Sequence, residues 1–136
     1  MAKPAGLLVH RTRLATAELA VRVDRYPTSR YALVLLEPHS GRRHQLRRHL
    51  KHIDHPIVGD TSYGQGRHNR LFRERYQCRR LLLAAIELTL AHPLSGAPLT
   101  LSAAPAPDFA AIAAALGWAQ PLADAWRRAP DDAAAR

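Results

Sequence analysis

Between Gly41 and Asp54 the sequence places Leu46, Leu50 and Ile53 at helical spacing and fills nearly every other position with a cation, an imidazole or an amide. A helix with so narrow an apolar stripe buries one edge and leaves the rest in water. It has to lie on the outside of another layer, which the remainder of the chain must supply. Ser40 is the expected N-cap, and Pro56 the stop, because proline pushes the residue before it out of the helical region.

The supporting layer reads as strand. Ala17, Leu19, Val21 and Val23 alternate with Glu18, Ala20 and Arg22, the period of a half-buried strand. Tyr26, Pro27, Thr28 and Ser29 carry turn chemistry, and Tyr31 to Glu37 then reads as a more buried strand, so an antiparallel pair is expected. Leu81 to Leu90 and Leu99 to Ser102 flank a turn-rich Ala91 to Pro98, a second hairpin signature. Between the hairpins, Val58 to Gln77 holds Gly59, Gly64, Gly66 and many arginines, which predicts a long loop with a short helix over Leu71 to Tyr76.

Ala106 to Leu116 predicts a helix after Pro105 and Pro107, with Asp108 near the positive end of its dipole. Trp118 and Trp126 are expected to pack in a core, Cys78 to be a small buried residue, and 130–136 to be a disordered tail. The fold expected from these elements is α+β: an antiparallel sheet of about four strands, the basic helix packed on it, and a C-terminal helix.

A chain of 136 residues is the size of one domain and can bury roughly 68% of its unfolded surface. Its 20 Lys and Arg against 11 Asp and Glu give a net charge of +9, which favours polyanions through counterion release. Arg42, Arg43, Arg47, Arg48, Lys51, Arg67, Arg70, Arg73, Arg75, Arg79 and Arg80 crowd the middle of the chain, so the charge is a patch. Cys78 is alone and allows no intramolecular disulfide, as in a reducing compartment. The apolar runs Leu81 to Ile86 and Phe109 to Ala119 fall short of the ~20 residues that span a bilayer. The first residues, with Lys3 and Pro4, do not make a signal peptide. A soluble, cytoplasmic protein without a membrane partner is expected.

Positive charges at the start of the Gly41 to Asp54 helix oppose its dipole by roughly a few tenths of a kcal/mol each, and a phosphate there would offset the cost. Arginine forks pair with phosphate bidentately. A solvated basic face on an ordinary helix accounts for the same composition. A helix-turn-helix reading lacks a second helix at short spacing. His49, His52 and His55 suggest a metal, but the arginines around them repel a cation, so RNA contact or exposure is expected and no metal.

Gly41-Arg42-Arg43-His44-Gln45-Leu46-Arg47-Arg48-His49-Leu50, then His55-Pro56-Ile57-Val58-Gly59-Asp60, then Arg80-Leu81-Leu82-Leu83, closely resembles the C-terminal motif series of the RluA-type pseudouridine synthases. Gly64 to Arg73 is similar to the branch of that family that modifies a tRNA uridine, although Ala84 stands where the family often has His. The resemblance runs from about Arg13 to Phe109. It implies part of the pseudouridine synthase catalytic fold, an RNA substrate, in particular tRNA, and isomerisation of uridine to pseudouridine without a metal or cofactor. A single aspartate in that family attacks a nucleoside flipped out of the stack.

The resemblance makes Arg47 the ion-pair partner of that aspartate, whose ionised form a guanidinium favours. The aspartate itself has no clear counterpart. The family carries it in His-Arg-Leu-Asp-Arg followed by Thr-Ser-Gly; the nearest match, Arg22-Val23-Asp24-Arg25, lacks the leading His and has Arg30 where Gly is expected. Asp24 is therefore a candidate nucleophile whose ordinary reading is a polar turn residue. Without its aspartate, Arg47 reads as an exposed helix cation contacting phosphate. Lys3 to Arg11 resembles an early segment of the family that precedes the catalytic strand, which suggests an internal deletion joined near Thr12.

The expected organisation is an N-terminal remnant over 1–12, the C-terminal part of a synthase domain over 13–109, a C-terminal helix over 110–129 and the tail. The expected RNA contacts are Arg42, Arg43, His44, Gln45, Arg47, Arg48, Arg67, His68, Arg70 and Arg73. Two functions stay open: a pseudouridine synthase in truncated or internally deleted form, and a non-catalytic RNA-binding remnant of one. A complementing chain is a candidate partner, since strand edges left open by a deletion invite pairing or aggregation.

Overall fold

The computed structural model describes residues 9–134, and the chain divides into two compact units, Met1–Leu82 and Leu83–Arg136. In the first unit β1 (Val9–Leu19) and β2 (Ser29–Pro38) pair antiparallel, from Val9 opposite Pro38 to Leu19 opposite Ser29. The register shifts between Arg13 and Ala15, a bulge at Leu14. Beyond it Ala15, Ala17 and Leu19 are half-buried while Thr16 and Glu18 are exposed, the alternation the sequence predicts.

The strand starts earlier and stops sooner than the expected Ala17 to Val23, and it runs unbroken across Thr12. Val21 and Val23 leave the ladder because other groups take their backbone: the buried Ser29 hydroxyl donates to Val21 O at 2.8 Å, and Val23 forms an isolated bridge with Tyr26. Asp24 turns the chain in a left-handed conformation, φ 59°.

Helix α1 covers Gln45–His52, not Gly41 to Asp54. Its N-cap is His44 in a left-handed conformation (φ 54°), and no side chain caps it; the Ser40 hydroxyl donates to Gln45 Oε1 at 3.0 Å. The segment expected to be mostly loop contains a full helix, α2 (Gly66–Tyr76), longer than the expected Leu71 to Tyr76. Its anchor is Phe72, 1% exposed, with the Tyr31 ring of β2 edge-on to it at 4.7 Å. The ring contacts joining a helix to the ribbon thus come from α2, whereas the basic helix expected to pack on the sheet is bonded to the loop after it.

In the second unit β3 (Glu87–Ala91) pairs antiparallel with β4 (Pro98–Ser102). Only the last residues of the Leu81 to Leu90 run enter this ladder. The single sheet of about four strands is therefore corrected to two ribbons of two strands each. Leu88 faces Leu101 and Leu90 faces Leu99, so period two puts four leucines on one side, with Leu88 and Leu101 more than half exposed. On the other side the Thr89 and Thr100 hydroxyls meet at 3.1 Å.

Helices α3 (Pro107–Ala115) and α4 (Ala119–Ala134) complete this unit. Ile112, Ala113, Trp118 and Ala125 form its buried centre. Of the expected tail over 130–136, residues 130–134 fall within the bounds of α4, and Ala135 and Arg136 lie outside the described residues, as does Lys3 to Leu8. No helix among the described residues is long and apolar enough to cross a membrane.

Candidate nucleic-acid interface

The charge is divided between the units. The first holds seventeen Lys and Arg against six Asp and Glu, the second three against five. Whatever binds a polyanion is therefore sought in the first unit, around α1 and α2.

The turn before α1 is built by one amide. Gln45, 7% exposed, accepts from Ser40 Oγ (3.0 Å) and from Arg42 N (3.1 Å) through Oε1, and donates Nε2 to Ser40 O at 3.0 Å. This fastens a turn that carries Arg42 and Arg43 into solvent. Gln45 is thus a scaffold for its cationic neighbours, its amide already satisfied. His44 is likewise engaged: its ring is edge-on to Tyr63 at 5.6 Å, and Nδ1 lies 3.1 Å from the Tyr63 hydroxyl.

Arg47 points inward. Its Nε and Nη2 donate to Asp60 Oδ2 and Oδ1 at 2.8 Å each, the two-pronged geometry of a guanidinium on a carboxylate. Asp60 is 1% exposed and also accepts from Ser62 N (3.0 Å) and Tyr63 N (2.9 Å). The Arg47 bond above all, then these backbone donors, hold its carboxyl down to about 2 against the opposing effect of burial. The Arg47 guanidinium is raised by the same bond. Tyr63 lies over this pair, with Arg47 Cζ 5.2 Å and Lys51 Nζ 6.0 Å from its ring centre.

The loop that presents Asp60 is clamped from α2. Asn69 accepts from Gly59 N at 2.8 Å and donates to Asp60 O at 2.9 Å. Gly59 sits at φ +87°, and a Cβ there would run into the Arg80 carbonyl, so this position requires glycine. Asp60, Tyr63 and Asn69 are the organising residues that the sequence reading passed over. The run His55 to Asp60 stands out as a motif, but no local pattern reveals which cation its carboxylate will meet.

On α2, His68 Nδ1 is 2.7 Å from the Tyr31 hydroxyl. Burial lowers the imidazole and, as its largest cause, raises the Tyr31 phenol. Arg67, Arg70 and Arg73 are exposed, and Arg67 forms an ion pair with Asp24. Asp24 is itself about two-thirds exposed, Arg22 Nε donates to its carbonyl at 3.0 Å, and its carboxylate pairs with Arg67 whereas Arg47 pairs with Asp60. The expected contacts thus separate into Arg42, Arg43, Arg48, Arg67, Arg70 and Arg73, which face solvent, and His44, Gln45, Arg47 and His68, whose side chains bond within the fold. The reading of Arg47 as an exposed cation is corrected: Asp60 occupies two of its donors, and its side chain is 19% exposed. Among the described residues no three His, Cys, Asp or Glu side chains cluster as metal ligands.

No protein-family model matches the chain. Curated proteins do. The tRNA pseudouridine synthase C of Pectobacterium carotovorum subsp. carotovorum is 49% identical over 115 residues, 85% of this chain and 31% of that protein. That of Salmonella typhi is 50% identical over 111 residues, 82% of this chain and 43% of the relative. That of Vibrio cholerae is 44% identical over 109 residues, 80% and 45% respectively. Identity of this order over most of the chain makes it a homologue of part of the pseudouridine synthases. The relatives it matches are tRNA pseudouridine synthase C, and the chain spans less than half of their length.

Proposed function

We propose that this chain is the RNA-binding portion of a tRNA pseudouridine synthase and that it isomerises uridine only when a polypeptide bearing the nucleophilic aspartate is joined to it. The observation that carries this reading is the segregation of charge, with seventeen cations against six acids in the unit that also holds Gly41 to Leu50 and His55 to Asp60, the segments that resemble the synthases. Exposed arginines on the Arg42 to Arg48 segment and on α2 suit the phosphates of a folded RNA.

The described carboxylates argue against independent catalysis. Asp60 has both oxygens bonded and no exposure through which a base could be attacked. Asp24 is open to water, with Arg67 as its partner. A nucleophile beside Arg47 would therefore come from outside the described residues and use the guanidinium edge that Asp60 leaves open.

The test is tRNA binding at increasing salt together with pseudouridine formation, for the wild type and Asp24→Ala. Binding that weakens steeply with salt, without product, supports the proposal. Product formed by the wild type and lost in Asp24→Ala would make Asp24 the nucleophile and the chain an enzyme in its own right.

A further inference from the structure

A groove of about 740 Å³ opens between the β1–β2 turn and α2, away from the Arg47–Asp60 pair. Its floor is apolar, made by Val21, Val23 and Leu71, all half-buried. Its rim is charged, with Arg22, Arg67 and Arg70 set against Asp24 and Glu74. Both walls carry bonds or packing of their own. The turn is held by the Ser29 hydroxyl on Val21 O and by the Val23–Tyr26 bridge, and α2 is held by the buried Phe72.

We propose that this groove takes one unpaired nucleotide of the RNA, base on the valine and leucine floor and phosphate on Arg70 and Arg22. The inference deepens the RNA-binding reading and rests on it. The volume lies within the roughly 300–1,000 Å³ of small-ligand sites, and the many charged side chains of its rim suit a ligand that is itself charged. A flat base covers apolar side chains whatever its identity, and reaches such a floor only when out of a duplex. Asp24, held by Arg67, supplies an acceptor for the base N–H groups at the groove's edge. Three cations against two acids suit one phosphate better than a polyphosphate. Arg70 forms no ion pair among the described residues, which leaves its fork for the ligand.

The experiment is a titration of the isotope-labelled chain with uridine 5′-monophosphate, followed by amide shifts, with inorganic phosphate as control and tRNA binding measured in parallel. Saturable shifts at Val23, Asp24, Arg67 and Leu71 are expected, weaker by about tenfold in affinity in Arg70→Ala and in Val23→Asp. Arg70 is exposed, so its variant remains informative if Val23→Asp does not fold. Shifts absent from the groove while tRNA still binds overturn the groove and leave the RNA reading intact. Equal shifts from inorganic phosphate reduce the site to an anion contact and overturn the nucleotide assignment. Loss of tRNA binding by the wild type itself overturns the RNA reading and the groove with it.

Discussion

Arg47 Nε and Nη2 meet Asp60 Oδ2 and Oδ1 at 2.8 Å each, so the most conspicuous cation of the basic helix is a fastener between α1 and the loop that follows it. Removing one member of a buried pair strands the other. Asp60→Asn is expected to cost about 3 kcal/mol, and Arg47→Ala to destabilise in the same direction but by less, because Arg47 retains some exposure. Arg47→Lys should recover little, since an ammonium cannot bridge both oxygens. Urea denaturation of the three variants checks this; a loss below about 1 kcal/mol in all of them would show the pair to be incidental.

The same pair sets an acid limit. The Asp60 carboxyl is lowered in the folded state to about 2, so its contribution is complete above the unfolded value of roughly 3.9 and is lost as pH falls through 2. Stability should decline from about pH 4 downward, and Asp60→Asn should flatten that limb of the profile.

His68 acts in a different window. Burial lowers its folded-state value, so protons bind the unfolded chain more readily and stability falls as pH drops below the unfolded value of roughly 6.5. A His68→Gln variant should lose the decline that sets in below about pH 6.5 while keeping the acid limb that belongs to Asp60. An unchanged profile in this variant would show that the imidazole does not control it.

Arg48 is the counterpart of Arg47 on the exposed face of the helix. Arg48→Ala should leave stability within about 0.5 kcal/mol. If it contacts an RNA phosphate, the slope of log affinity against log salt should fall by about 0.7 to 0.9. Filter binding of tRNA at several salt concentrations measures the slope, and circular dichroism melts measure the stability.

Phe72, 1% exposed between the Tyr31 and Tyr76 rings, is the packing anchor of α2. Phe72→Ala should cost about 3–5 kcal/mol and unfold the first unit at modest denaturant concentrations. A variant that melts with the wild type would remove α2 from the core.

Local signals were readable where the chain obeys a short period. The Tyr31 to Glu37 strand, the turn before it, the Ala91 to Pro98 turn and the Ala106 to Leu116 helix all carry their patterns in consecutive residues, and the structure places elements there. The misses have long-range causes. Leu81 to Ile86 has strand composition, yet the strand ladder begins only at Glu87, and Leu82 instead donates its N–H to the loop carbonyl of Val58 at 2.9 Å. Ser40 has the chemistry of an N-cap, yet the buried Gln45 amide captures its hydroxyl and moves the helix start to His44. In the site, net charge located the unit but not which arginines face solvent, because Arg47 and Arg48 differ only in whether a carboxylate thirteen residues onward meets them.

The bulge at Leu14 gives β1 a tolerance that a regular strand lacks. Adding or removing one residue in an alternating strand turns every later side chain to the opposite face. A strand that already holds one unpaired residue can absorb such a change locally, by losing or relocating the bulge, and keep Ala15, Ala17 and Leu19 facing inward. The stretch around Leu14 is therefore where an engineered insertion of a single residue in this ribbon should be borne best.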